Sequence, residues 1–257
     1  MFDTFLDSFD NEWLVKNKHN LVVSTSPYWF TPPAAHSLAA HFHYLLNERF
    51  MNMGLMPVRY VKLHRSAAPV LDFSKLNAED RKKNMKKDAL SIDPKALKGK
   101  TLILIEDSRI TGAHEGKIIS HAKKFGVKGI IFVYVVNIAN GIQDPNIENR
   151  INHVYINDLT MLYRLMLNPK DFAFNSRVCR FLLSWKNADE LQNFFAHLSD
   201  KLLFTIYVSA INDGYALVEK FSKGFNLLKI EIASRNNIKE ALTEEELPVI
   251  SIAVSQQ

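Results

Sequence analysis

Glu106, Asp107, Thr111 and Gly112 are the residues of this chain whose types and spacing best suit chemistry. They stand in Leu102-Ile-Leu-Ile-Glu106-Asp107-Ser-Arg-Ile-Thr111-Gly112-Ala-His-Glu, an apolar run that ends in two acids and leads into helix-forming sequence. The first amides of a helix lack partners within it and lie at the positive end of its dipole, so they hold phosphate. A phosphate over Ser108 to Ala113 would be gripped by such amides, with the Thr111 hydroxyl adding a bond and Gly112 letting the backbone come close. Adjacent carboxylates can accept hydrogen bonds from vicinal sugar hydroxyls and orient the water shell of Mg²⁺. His114 can donate a further bond beside the phosphate. An apolar strand ending in acids also resembles a Walker B element, but the chain has no Gly-x4-Gly-Lys-Ser/Thr loop to accompany one.

These residues need a strand, a turn and a helix to hold them. Thr101 to Ile105 is apolar and β-branched, as in a strand covered on both faces of a parallel sheet. Gly112 to Phe125 reads as the following helix and Gly129 to Val136 as another buried strand. Strand, helix and strand of this length imply a right-handed crossover, hence an α/β sheet whose ligands bind at the carboxyl ends of its strands.

Upstream, Phe2, Phe5, Leu6, Phe9, Trp13 and Leu14 recur at helical spacing and predict one opening amphipathic helix. Asn20 to Ser24 predicts a short strand, and three prolines within residues 27–33 make a shaped loop. Ala34 to Asn52 predicts a long helix starting near Pro33, and Leu55 to Leu63 a second strand. Asn77 to Leu90 predicts a charged surface helix, Asn152 to Ile156 a strand and Leu159 to Leu167 a helix. Phe174 to Trp185, Ala188 to Ser199 and Asp213 to Phe225 read as helical, while Phe204 to Ser209 and Leu227 to Ile232 leave helix and strand open. The expected organisation is therefore an α/β domain over residues 1–168 and a mainly helical domain of unassigned role over 169–257.

Composition narrows the setting. With 47% hydrophobic and 23% charged residues the chain is of globular type, and no apolar run reaches the roughly 20 residues of a membrane span. The amino terminus lacks the pattern of a secretory signal, and Cys179 is the only cysteine, so no internal disulfide or cysteine-based zinc cluster forms; a cytoplasmic protein is expected. A net charge of +5 favours anionic ligands without selecting nucleic acid over a phosphorylated small molecule. Arg81-Lys-Lys-Asn-Met-Lys-Lys reads first as a solvated helix face, and His36, His41 and His43 as structural or surface groups rather than metal ligands.

Four apolar residues, two acids, three variable positions and Thr-Gly resemble the phosphoribosyl-pyrophosphate motif of type I phosphoribosyltransferases. Ser26-Pro27-Tyr28, Val61-Lys62-Leu-His64-Arg65, Leu71-Asp72-Phe-Ser, Ala78-Glu-Asp-Arg81 and Ile92-Asp93 ahead of Gly99-Lys100 look like the bacterial branch of that family associated with tellurium-resistance and stress gene clusters. The likeness covers Val22 to Asn137. Two positions depart from the wider family: His114 stands where many members have Thr or Ser, and Ile110 stands where purine-salvage members have Asp. The second departure argues against purine salvage and leaves no general base to name.

The resemblance implies a type I phosphoribosyltransferase-like parallel sheet flanked by helices. It implies Mg²⁺-dependent transfer of a 5-phosphoribosyl group from its pyrophosphate to an unidentified acceptor, or the reverse cleavage of a nucleotide-like substrate, within nucleotide metabolism. Glu106 and Asp107 would hold the ribose hydroxyls and, through water, Mg²⁺. Ser108, Arg109, Ile110, Thr111, Gly112, Ala113 and His114 would hold the 5-phosphate. Lys62 and Arg65 would bind pyrophosphate, Ser66 to Lys75 would form a cover, and Tyr28 would belong to a hood over the acceptor. A non-catalytic sensor of phosphoribosyl pyrophosphate or a nucleotide is the alternative, and an RNA-binding protein using the basic residues 81–87 is a second. The expected partner is a small phosphoribosyl substrate, with neither membrane nor nucleic acid, and a homodimer is left open.

Overall fold

A computed structural model describes residues 1–65, 90–91, 94–109, 113–137, 156, 158–168 and 172–235. The expected cover loop at 66–75, the basic run at 81–87 and nearly all of the helix at 77–90 and strand at 152–156 lie outside these residues. The described residues fall into two compact units, Met1–Arg177 and Val178–Gln257, a division inside a helix, whereas the sequence reading divides the chain at 168/169.

The first unit is built on four parallel strands in the order β2-β1-β5-β6: β1 Leu21–Thr25, β2 Arg59–Tyr60, β5 Thr101–Arg109 and β6 Gly129–Asn137. A separate antiparallel pair joins β3 (His64–Arg65) to β4 (Leu90–Ser91). Every residue of β1 is buried, as the unbroken apolar runs of a two-sided parallel sheet require. On one face Val23, Ile103 and Ile105 pack with Ala39, Phe42, Leu46 and Phe50 of α3 (Ala34–Asn52) and with Phe5 and Leu14. On the other, Val22, Leu102 and Leu104 pack with Leu97 and with Ile118 of the helix Ala113–Lys124. The sheet is thus flanked by helices on both faces, the expected fold class.

Three expectations for the first unit need correction. The opening segment is two helices, α1 (Phe2–Ser8) and α2 (Asn11–Asn17), because the Asp10 carboxylate accepts from the Trp13 amide at 2.9 Å and caps a new start. The second strand shrinks to Arg59–Tyr60. Gly54 turns the chain at φ 70°, Pro57 has no amide to donate, and the Val58 amide is taken by the Asn47 side chain at 2.7 Å. Conversely, β5 runs past Ile105 to Arg109, with Ser108 opposite Val136 and Arg109 opposite Asn137, so both acids lie within the strand.

The short helix Pro94–Leu97 is α4, Ala113–Lys124 is α5 and Leu159–Met166 is α6, the last capped by Asp158. The helix Ser176–Leu183 is α7, and the second unit continues with α8 (Ala188–His197), α9 (Asp200–Asn212) and α10 (Glu219–Ser234). Phe204 to Ser209 and Leu227 to Ile232 are both helical. The helix expected over Asp213 to Phe225 is instead a left-handed turn at Gly214, a 3-10 turn at Tyr215–Leu217 and the start of α10. Arg235 closes this unit: its guanidinium donates to the carbonyls of Phe195, Ala196 and Leu198 at the end of α8 and pairs with Asp200 and Glu231. Cys179 is fully buried and its thiol is pushed up by that burial and by Asp213, so it is no nucleophile. No helix among the described residues is long and apolar enough to cross a membrane.

Candidate functional site

The carboxyl end of the central strand pair gathers the polar groups. Glu106 is 6% exposed, and its carboxylate accepts a short hydrogen bond from the Ser26 hydroxyl. The Thr25 hydroxyl donates to the Ile105 carbonyl at 3.1 Å, tying the ends of β1 and β5 together. Side chains alternate along a strand, so Asp107 is directed to the face opposite Glu106. Its Oδ1 accepts from the Ser108 amide at 2.8 Å and its Oδ2 from the Arg177 guanidinium at 3.2 Å, with about a third of the side chain open. The two acids therefore have separate partners, one buried and one accessible.

Glu106 lies opposite Tyr134 in the register of β5 and β6. The Tyr134 hydroxyl donates to Glu115 at 2.6 Å, and the same carboxylate oxygen accepts from Arg109 Nε at 2.7 Å. Burial, the hydrogen bond to Glu115 and the charges of Glu115 and Glu106 together push the Tyr134 phenol far up, so it stays a donor. Of the expected phosphate contacts, Ser108 and Arg109 end the strand, Ala113 and His114 open α5, and Ile110, Thr111 and Gly112 lie outside the described residues.

Tyr28 and Lys62 come together beside β1. The Tyr28 amide donates to the Leu63 carbonyl at 3.2 Å and the Arg65 amide to the Tyr28 carbonyl at 3.3 Å, which places the loop after β1 against β3. The Lys62 ammonium sits 4.2 Å from the centre of the Tyr28 ring and donates to the Trp29 carbonyl at 3.3 Å. The residues missed by sequence reasoning are Ser26, Glu115, Tyr134 and Arg177. Glu115 had a signal, an acid in the first turn of the helix; the others are brought in by folding alone.

The three histidines do not gather. His36 Nδ1 lies 3.0 Å from the Tyr60 hydroxyl, His43 Nε2 lies 2.6 Å from the Val58 carbonyl, and His41 is exposed. No group of three His, Cys, Asp or Glu among the described residues is arranged to hold a metal. Burial, then the charge of Lys62, lowers the His36 pKa below its ordinary 6.5. The unfolded chain then binds the proton first as pH falls. His36 stabilises the fold fully above pH about 6.5, and this contribution is lost as pH drops through the lower folded value. Denaturant midpoints of unit 1 are expected to fall between pH 7.5 and 5, and His36→Asn is expected to shrink that fall; an unchanged slope would remove His36 as its source.

Compared with known proteins, residues 1–228 match the family model described as PRTase ComF-like. No curated protein matches the chain. Among solved structures, the chain is similar to the crystal structure of purine phosphoribosyltransferase from Pyrococcus horikoshii Ot3, with 14% identity and a TM-score of 0.30, over 53% of this chain and 72% of that one.

Proposed function

The chain belongs to the PRTase ComF-like family, and on that premise we propose that it is an enzyme that transfers a 5-phosphoribosyl group between pyrophosphate and an acceptor, in the presence of Mg²⁺. The observation that carries this reading is the pair of acids in the carboxyl-terminal half of β5, just beyond its last pair with β1, in a strand paired on both sides at the centre of a parallel sheet. Asp107, partly open, accepts from the ribose hydroxyls. Glu106 reaches the sugar by exchanging its Ser26 hydrogen bond for one from the ligand. Thr111, Gly112 and the opening amides of α5, through Ala113 and His114, hold the 5-phosphate, with Ser108 and Arg109 at the strand end.

The donor chemistry fits magnesium. Mg²⁺ is held by one or two carboxylates with water and substrate phosphates, so the partly open Asp107, with Glu106 reaching the ion through water, would hold it without a protein cage. When bound, the ion supplies charge neutralisation for the departing pyrophosphate. Lys62 and Arg65 bring positive charge to the same leaving group as the bond from C1 to oxygen breaks. Tyr28, fixed by the Leu63 carbonyl and covered by Lys62, forms the wall on the acceptor side. The quoted likeness around Ser26-Pro27-Tyr28 and Lys62-Leu-His64-Arg65 supports the stress-associated branch, and the single buried cysteine suits a reducing cytoplasm.

A sensor of phosphoribosyl pyrophosphate is the second reading. It is favoured by Ile110 in place of an acid and by the engagement of Lys62 with Tyr28 and Trp29. Calorimetric titration with phosphoribosyl pyrophosphate and Mg²⁺, followed by pyrophosphate release with a panel of bases and amines, separates the two. Binding with acceptor-dependent release is expected. Binding without release under any acceptor would support the sensor, and no binding would contradict both.

A further inference from the structure

The two acids of β5 each take a partner from far along the chain, and the two partners differ in kind. Glu106 is buried and takes a neutral hydroxyl, that of Ser26. Asp107 is partly open and takes a cation: Arg177 Nη2 donates to its Oδ2 at 3.2 Å. The other oxygen, Oδ1, is engaged by the amide of the next residue, Ser108, at 2.8 Å. Oδ2 is therefore the better oxygen for a ligand, and Arg177 already stands on it.

Backbone bonds set Arg177 in this place. It is the second residue of α7, and the opening amides of a helix need partners outside the helical ladder. The Ser176 amide donates to the Pro32 carbonyl at 2.9 Å, and the Arg177 amide to the Asn175 side-chain oxygen at 3.0 Å. Pro32 belongs to the loop between β1 and α3, so the start of α7 is fastened to that loop. The main chain at Arg177 is thus held, and its long side chain has only to change rotamer to leave Asp107.

A guanidinium at this distance stands where the phosphoribosyl reading puts its ligands. Asp107 can accept from a sugar hydroxyl at Oδ2, or hold Mg²⁺ there at about 2.0–2.1 Å, only once the like-charged guanidinium has moved aside. The pair is also weak enough to exchange. A separation of 3.2 Å is long for a charge-assisted bond, and the side chains are 38% and 31% exposed, where solvent leaves such pairs little strength.

We propose that Arg177 is an internal competitor for Asp107, an autoinhibitory contact that the phosphoribosyl ligand must displace before its ribose hydroxyls are held. The inference rests on the phosphoribosyl reading above and adds regulation to that site. The resting carboxylate is neutralised from within the chain, and ligand affinity is set in part by how readily the guanidinium swings away.

The test is calorimetric titration of the full chain with ribose 5-phosphate and Mg²⁺, at about 0.1 M and about 1 M salt. Arg177→Gln removes the charge and keeps a polar side chain; at the lower salt it is expected to bind about fourfold more tightly than wild type, the strength of a half-exposed ion pair. Arg177→Lys, a point charge on a different stem, is expected to fall between the two. At the higher salt, where the screening length is about 3 Å, wild type and Arg177→Gln are expected to converge. Weaker binding in Arg177→Gln would make Arg177 a substrate ligand, and equal binding at the lower salt would make it a bystander. Either result overturns the competition and leaves the phosphoribosyl reading standing. If ribose 5-phosphate binds neither chain, that reading fails, and this inference with it. Thermal melts of each variant show that the folded protein is being titrated.

Discussion

Asp107→Asn is expected to weaken ribose 5-phosphate binding on the order of 100-fold, because the bonds from the two hydroxyls lose their charged acceptor and one of them meets an NH2 donor in place of an oxygen. Glu106→Gln is expected to cost only about fivefold, because an amide oxygen still accepts from Ser26 and the buried strand end keeps its shape. The order follows from exposure: Asp107 is partly open, and Glu106 must first release an internal partner. Stability is expected to change by less than ~1 kcal/mol in Asp107→Asn, since the ion pair it loses has side chains 38% and 31% exposed and is largely screened. Titration calorimetry on both variants checks this. The reverse order would make the buried acid the sugar contact and Asp107 a partner of Arg177 only.

The second large effect concerns the helical unit. A Cβ on Gly224 would lie 2.4 Å from the Leu183 carbonyl oxygen, 2.7 Å from its Cα and 2.9 Å from its carbonyl carbon. All three are backbone atoms, so no side chain can swing aside and the helices must part. Gly224→Ala is expected to destabilise this unit by about 3 kcal/mol, despite the better helix propensity of alanine. Gly116→Ala is the matched control: Gly116 lies within α5, is exposed and has nothing within 4 Å of an added Cβ. There the ordinary helical preference is expected to hold, a gain of up to ~1 kcal/mol. Urea unfolding of the two variants gives the comparison. Equal midpoints would mean that α10 and α7 do not approach as closely as this.

The apolar runs from Thr101 to Ile105 and from Gly129 to Val136, with helical sequence between them, announce a parallel sheet before any coordinates. The helix from Ala34 to Asn52 is equally legible, with Pro33 at its start and one stripe of large apolar groups. What was hidden is non-local. The extension of β5 to Arg109 depends on pairing with β6, and with it goes the divergence of Glu106 and Asp107 to opposite faces. Ser26 and Arg177 reach these acids from 80 and 70 residues away, and no spacing rule connects them. The division of the opening helix was legible in principle, since Asp10 is a capping residue placed before Asn11-Glu12-Trp13, but the apolar periodicity outvoted it. In α9, Leu202-Leu-Phe-Thr-Ile-Tyr-Val is rich in β-branched and aromatic residues, so propensity left strand open. The Ser199 cap and the burial of Leu203, Ile206 and Ala210 on one side decide for a helix.

The central claim is that a phosphorylated ribose binds where β5 gives way to α5. Amide chemical shifts of the ¹⁵N-labelled full chain, recorded while ribose 5-phosphate is added with Mg²⁺, test it most directly. The largest shifts are expected at Asp107 to Glu115, with Ser26 and Tyr134 following and Gly224 and Arg235 unmoved. Saturable shifts centred in residues 178–235, or none near Asp107 at saturating ligand, would contradict it.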